Sequence, residues 1–168
     1  MRTLLSILIV GTFPALALAA GEHTGGHNMS GHNMANMHKE SETHDSMAGV
    51  PGDPANVSRT IDVVMDDTMR FEPKTLSAKS GETIRFLVKN EGKIKHEMVI
   101  GSMDELKEHA EMMRKMPNMK HVEANMITLN PGQRGRIVWR FDKPGTVNFA
   151  CLVPGHMEAG MIGEVMVK

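Results

Sequence analysis

Three residues with metal-binding side chains follow one another at regular spacing near the C-terminus. Cys151, His156 and Met161 stand in the run Cys151-Leu-Val-Pro-Gly-His156-Met-Glu-Ala-Gly-Met161, a C-x4-H-x4-M pattern. Thiolate, imidazole and thioether are soft or borderline donors. One thiolate, two imidazoles and a weak axial thioether form the set that serves copper cycling between Cu(I) and Cu(II). Pro154-Gly155 and Gly160 turn the chain back on itself, so one short loop supplies three of the donors. The second imidazole must come from elsewhere. Between Val57 and this loop there are three histidines; His109 and His121 fall in a helical insertion, whereas His96 opens a predicted strand and suits the role. Met157 is a rival axial donor, but it adjoins His156 and would point away from the same metal, so Met161 is preferred. The plain alternative is a free cysteine beside an incidental histidine. It does not account for three donor types in this order, just before a terminal strand.

Cys151 is the only cysteine in 168 residues. Residues 1–19 read as a secretory signal peptide: Arg2 supplies a positive start, Leu4 to Leu18 an apolar stretch, and Ala17-Leu18-Ala19 a small-x-small cleavage signal. A cut after Ala20 fits as well. The apolar stretch is short for a membrane span, and no later segment is apolar enough to be one, so no stable membrane insertion is expected after cleavage. Export implies the periplasm, an oxidising compartment where cysteines pair. A lone cysteine there calls for a metal, a reactive thiol or an intermolecular partner, and the donors that follow it favour the metal. The formal net charge is −1, which leaves no basic footprint for nucleic acid. The unusual counts are 17 Met and 9 His.

The elements that must position these donors are short. Residues 20–56 read as a disordered tail, rich in Gly, Ser, Asn, His and Met, which cannot bury enough apolar surface to offset ordering. Within it His27-Asn28-Met29, His32-Asn33-Met34 and Asn36-Met37-His38 form a ragged repeat, flanked by His23 and His44. Two readings stand, a copper-binding tract or a flexible solubilising tail, and the regular pairing of His with Met favours copper. From Val57 to Lys168 the pattern is one domain of short strands. Ile84, Phe86 and Val88 alternate with Arg85 and Lys89, and Ile137, Trp139 and Phe141 repeat the pattern. Seven or eight such runs punctuated by Pro and Gly predict an all-β sandwich.

One segment departs from this. Ser102 to Met116 reads as a helix, with Ser102 and Glu105 as a capping box and Pro117 as the stop. His109, Met112, Met113 and Met116 cluster on adjacent faces. They either pack the helix onto the sandwich or hold a second copper. Met119, His121 and Met126 lie just beyond, and both readings stay open.

The loop, its preceding strand and the distant histidine together resemble the cupredoxins, the family that includes plastocyanin, azurin, pseudoazurin, rusticyanin and auracyanin. The resemblance covers about Val57 to Lys168. It implies a Greek-key β-sandwich with one type 1 copper held by His96, Cys151, His156 and Met161. It further implies that His156 reaches the surface through an apolar patch of Pro154, Met157 and Ala159 and passes electrons there. The chain is also similar to exported copper-tolerance cupredoxins with a His/Met-rich tail and a Met-rich helical insertion. This points to copper handling with copper ions as partner. The alternative is an electron shuttle between respiratory redox proteins. An enzyme is not expected: multicopper oxidases and nitrite reductases use His-x-His pairs or a second domain, and neither occurs here, although weak oxidation of Cu(I) fits the site. One departure stands out. Many members have Asn or Ser after the first histidine, where it ties the ligand loops together; here the residue is Glu97.

Overall fold

The computed structural model describes residues 48–116 and 122–168. Ten strands, one α-helix and a 3-10 turn at Pro54–Asn56 are formed among these residues. The strands are β1 (Val50–Pro51), β2 (Arg59–Asp66), β3 (Arg70–Glu72), β4 (Thr75–Ala78) and β5 (Glu82–Asn90), followed by β6 (His96–Gly101), β7 (Met126–Leu129), β8 (Arg134–Phe141), β9 (Gly145–Ala150) and β10 (Ile162–Val167). Helix α1 (Met103–Lys115) lies between β6 and β7. Two five-stranded sheets result, in the orders β1-β8-β5-β2-β3 and β4-β10-β9-β6-β7. Pairing is antiparallel except for β2 with β5 and β10 with β4. The all-β sandwich with one helical insertion is as the sequence predicts.

Alternation builds the core. Ile84, Phe86 and Val88 of β5 and Ile137, Trp139 and Phe141 of β8 are all buried, while Leu87 on the opposite face is exposed. From the other sheet Met98, Ile100, Val147, Phe149, Val165 and Val167 close the same apolar layer. Phe149 stands edge-on to Phe71 with ring centroids 5.0 Å apart, a geometry aromatic pairs prefer. Gly163 of β10 makes room for that ring, since a Cβ there would sit 2.2 Å from it.

Two short strands escape the sequence pattern. β3 is three residues long and carries one buried residue, Phe71. β1 lies within residues 20–56, the segment read from sequence as a tail. Val50 and Pro51 pair with Arg140 and Trp139 of β8, and the Trp139 indole N–H donates to the Ala48 carbonyl at 2.6 Å. A buried indole needs an acceptor, and the backbone at Ala48 provides it. Residues 20–47, with His23, His27, Met29, His32, Met34, Met37, His38 and His44, lie outside the described residues, as do residues 1–19, Pro117, Met119 and His121.

Helix α1 begins as predicted. Ser102 Oγ accepts from the Glu105 N–H and Glu105 Oε2 from the Ser102 N–H, a reciprocal capping box. Leu106 is its buried anchor, set against Val99, Ala150 and Leu152, with Ala110, Met126 and Met157 packed around them. This satellite cluster covers the outer face of β6 and β9, the two strands that carry the site.

Candidate metal centre

The site forms where β6 begins and β9 ends. These strands are antiparallel neighbours, with Val99 opposite Ala150 and Ile100 opposite Phe149. The start of one therefore lies beside the residue that follows the other. His96 is the first residue of β6, and Cys151 comes directly after β9. β10 returns against β9 with Ile162 opposite Ala150, which closes the loop of residues 151–161 over the same end.

That loop is held by its own backbone. The His156 N–H donates to Val153, Ala159 to Gly155, and Gly160 to Met157, each at 3.0 Å. Met161 N–H reaches the His156 carbonyl at 3.0 Å, and the Met161 carbonyl takes the Cys151 N–H at 3.1 Å. Gly155 and Gly160 have φ of 89° and 95°, backbone that side-chain-bearing residues rarely adopt. The spacing of four residues between donors is thus the length of two successive tight turns.

The geometry gathers three of the four sequence-predicted donors. One ligand atom each from His96, Cys151 and His156 lies within 4.8 Å of the others. Cys151 Sγ is 3.3 Å from His156 Nδ1, and the two imidazole rings are 4.9 Å apart between centroids. All three residues are buried. Met161 is fully buried too, and its backbone is bonded to both Cys151 and His156. Met157 packs instead with Ala110 and Met126 beside the Leu106 cluster.

One atom tests whether a metal belongs here. Among the described residues, His96 Nδ1 is the one buried side-chain nitrogen or oxygen left without a hydrogen-bond partner. An orphaned buried polar atom costs about 1–3 kcal/mol. The orphan sits in a group of three metal donors, and a cation there would satisfy it. A soft thiolate with two imidazoles fits copper.

Burial also sets the protonation states. It pushes the Cys151 thiol up to about 11 from 9.0, against the opposing pull of N–H donors from Glu97 and Val153, while the Glu97 charge adds to the rise. It pushes His156 below its ordinary 6.5, with His96 adding to the fall, so at neutral pH the His156 ring is a neutral ligand. Thiolate formation would therefore depend on a bound metal, which would displace the proton from Cys151.

Glu97 answers the departure noted in the sequence. Its backbone N–H donates to Cys151 Sγ at 3.3 Å, so the tie between the ligand segments is made by main chain. Its side chain accepts from Thr128 Oγ1 at 2.6 Å and fastens β6 to the edge strand β7 instead. Two further residues were not foreseen. Asn90 is fully buried; its amide donates to the carbonyls of Ile94 and Leu129 and its oxygen accepts from Gly92 N–H, shaping the loop that delivers His96. Asp67 Oδ1 lies 3.1 Å from His96 Nε2. No local pattern marks either one, because each acts on residues brought to it by the fold.

The helical donors stand apart. Met112 and Met113 are half-buried and Met116 is exposed at the helix end. His109 lines a cavity of about 250 Å³ with Glu105, Leu106, Glu123 and Asn125. Among the described residues, only His96, Cys151 and His156 come together as a group of His, Cys, Asp or Glu able to hold a metal. No helix among the described residues is long and apolar enough to cross a membrane.

Comparison with known proteins agrees with this centre. The pattern of the copper binding proteins of the plastocyanin/azurin family matches residues 55–168. A copper-resistant cuproprotein, CopI, of Rubrivivax gelatinosus is 48% identical over 133 residues, which are 78% of this chain and 81% of the relative. Its namesake in Vibrio cholerae serotype O1 is 33% identical over 98% of this chain and 97% of its own length. Among solved structures, dithionite-reduced auracyanin from Roseiflexus castenholzii has a TM-score of 0.56 and 25% identity, covering 67% of this chain and 98% of that one. Auracyanin B, with a TM-score of 0.59 and 23% identity over 73% and 96%, shares the fold. With a buried His-Cys-His group at the meeting of β6 and β9, and with these matches across the described domain, the chain belongs to the plastocyanin/azurin family of copper-binding proteins, the cupredoxins.

Proposed function

We propose that this is an exported, periplasmic type 1 copper protein that protects the cell from copper. In this reading His96 and His156 supply imidazoles through their Nδ1 atoms, Cys151 supplies the thiolate and Met161 the axial thioether. The observation that carries it is the orphaned Nδ1 of His96 within the buried His96, Cys151 and His156 group. Copper bound there supplies a one-electron couple between Cu(I) and Cu(II). The chain's part is to hold two neutral imidazoles and a thiol in a dry pocket and to donate the N–H groups of Glu97 and Val153 to the sulfur. The copper-resistance names of the relatives favour tolerance as the setting, and the signal peptide favours the periplasm. The His/Met tail and the methionines of α1 serve as further copper donors.

An electron shuttle between respiratory proteins requires the same centre but neither the tail nor the methionines. Growth of a copper-sensitive bacterial host expressing this chain separates the two. Deletion of residues 20–47 and replacement of Met112, Met113 and Met116 by Leu are expected to abolish copper tolerance while the purified variant keeps its colour. Full tolerance from that combined variant would overturn the copper-protection role.

A further inference from the structure

Asp67 has no place in the donor set, yet it is bound to it. It lies in the turn between β2 and β3, 29 positions from His96 in sequence. Its Oδ2 accepts the Lys93 N–H at 2.7 Å, and its Oδ1 lies 3.4 Å from the Ile94 nitrogen and 3.1 Å from His96 Nε2. One carboxylate thus holds both the loop before β6 and the ring that opens β6. The fit needs a glycine: a Cβ on Gly92 would come within 2.1 Å of Asp67 Oδ1 and 3.0 Å of His96 Nε2. Asn90 fastens the same loop from the other side.

The two nitrogens of His96 have opposite surroundings. The ring is fully buried. Nε2 faces a carboxylate, and Nδ1 has no partner. A neutral imidazole carries one donor and one acceptor nitrogen, and an ionised carboxylate only accepts. The proton therefore belongs on Nε2, which leaves the lone pair of Nδ1 for the group that His96 forms with Cys151 and His156. A carboxylate behind a ligating histidine fixes its ring and makes it a stronger donor. Stronger donation from nitrogen favours Cu(II) over the softer Cu(I).

Resting on the copper reading above, we propose that Asp67 is a positioning residue that fixes the tautomer of His96 and, through its charge, weights the centre toward Cu(II). A purely structural latch would hold the loop and leave that weighting unchanged. Asp67→Asn separates the two roles, because it keeps an acceptor oxygen and the side-chain size and loses the charge.

The experiment is voltammetry and visible spectroscopy of the copper-loaded full mature chain, wild type beside D67N, together with ¹⁵N NMR of the imidazoles in the metal-free wild-type chain. D67N is expected to keep the thiolate-to-copper band while the preference for Cu(II) over Cu(I) falls about tenfold, an upward shift of about 59 mV for a one-electron couple. The wild-type spectrum is expected to show His96 with its proton on Nε2. A D67N preference changed by less than about twofold, or a wild-type His96 protonated on Nδ1, overturns the proposal, and the NMR result stands even where D67N does not fold. A wild-type protein with no thiolate band overturns the copper reading and this proposal with it; a band with an unmoved potential overturns the role of Asp67 alone.

Discussion

At Cys151 the fold keeps a thiol where water does not reach. The residue is fully buried, and this burial favours the protonated form. The stability of the metal-free protein should follow. The folded-state value is raised to about 11 from 9.0, so the folded chain holds a proton that the unfolded chain gives up between these values. That contribution is fully present below pH 9 and is lost as pH climbs toward 11, on the order of 2–3 kcal/mol. His156 acts at the other end. Its value is lowered from 6.5, so stability of the metal-free form also falls as pH drops below 6.5. Urea unfolding of the metal-free protein across pH 5 to 11, beside Cys151→Ser, checks both limbs; an alkaline loss that persists undiminished in Cys151→Ser would assign it to other groups. The meeting of Cys151 and His156 was legible at this scale because the two are local in sequence and chemically distinctive. Asp67 was not. An aspartate in a turn looks like any other, and only the fold brings it to His96.

Strands β5 and β8 could be read directly, since Ile84, Phe86 and Val88 and likewise Ile137, Trp139 and Phe141 recur at every second position and are buried. Helix α1 was equally plain, because Ser102 and Glu105 mark its start with a reciprocal pair of bonds. β1 was hidden. Two residues cannot display a period, and Pro51 argues against a strand except at a sheet edge, which is where β1 lies. Its importance comes from Trp139, whose N–H is bonded to Ala48. A chain that starts at Val57 should therefore be less stable than one that starts at Gly21 by about 1–3 kcal/mol, the cost of leaving that buried donor unpaired, with its copper spectrum unchanged. Denaturant unfolding of the two chains measures the difference; equal midpoints would show that β1 adds nothing to the sandwich.

On the scale of the whole molecule, the two sheets exist to bring the first residue of β6 against the residue after β9. Their core is separate from the helix, whose anchor Leu106 belongs to the satellite cluster on the outer face. That division lets a Met-bearing helix be added between β6 and β7 without disturbing the centre. It also explains why the fold class and the centre were readable from sequence while the role of the helical methionines was not: Met112 and Met113 are half-buried, a state that serves packing and metal binding alike. The central claim is that His96, Cys151, His156 and Met161 form one type 1 copper site. The most direct test is the visible and EPR spectrum of the mature protein with one equivalent of Cu(II), beside Cys151→Ala. An intense thiolate-to-copper charge-transfer band that vanishes in Cys151→Ala is the predicted result. A pale, ordinary Cu(II) spectrum unchanged by that substitution would place the copper in the His/Met tail and contradict the assignment.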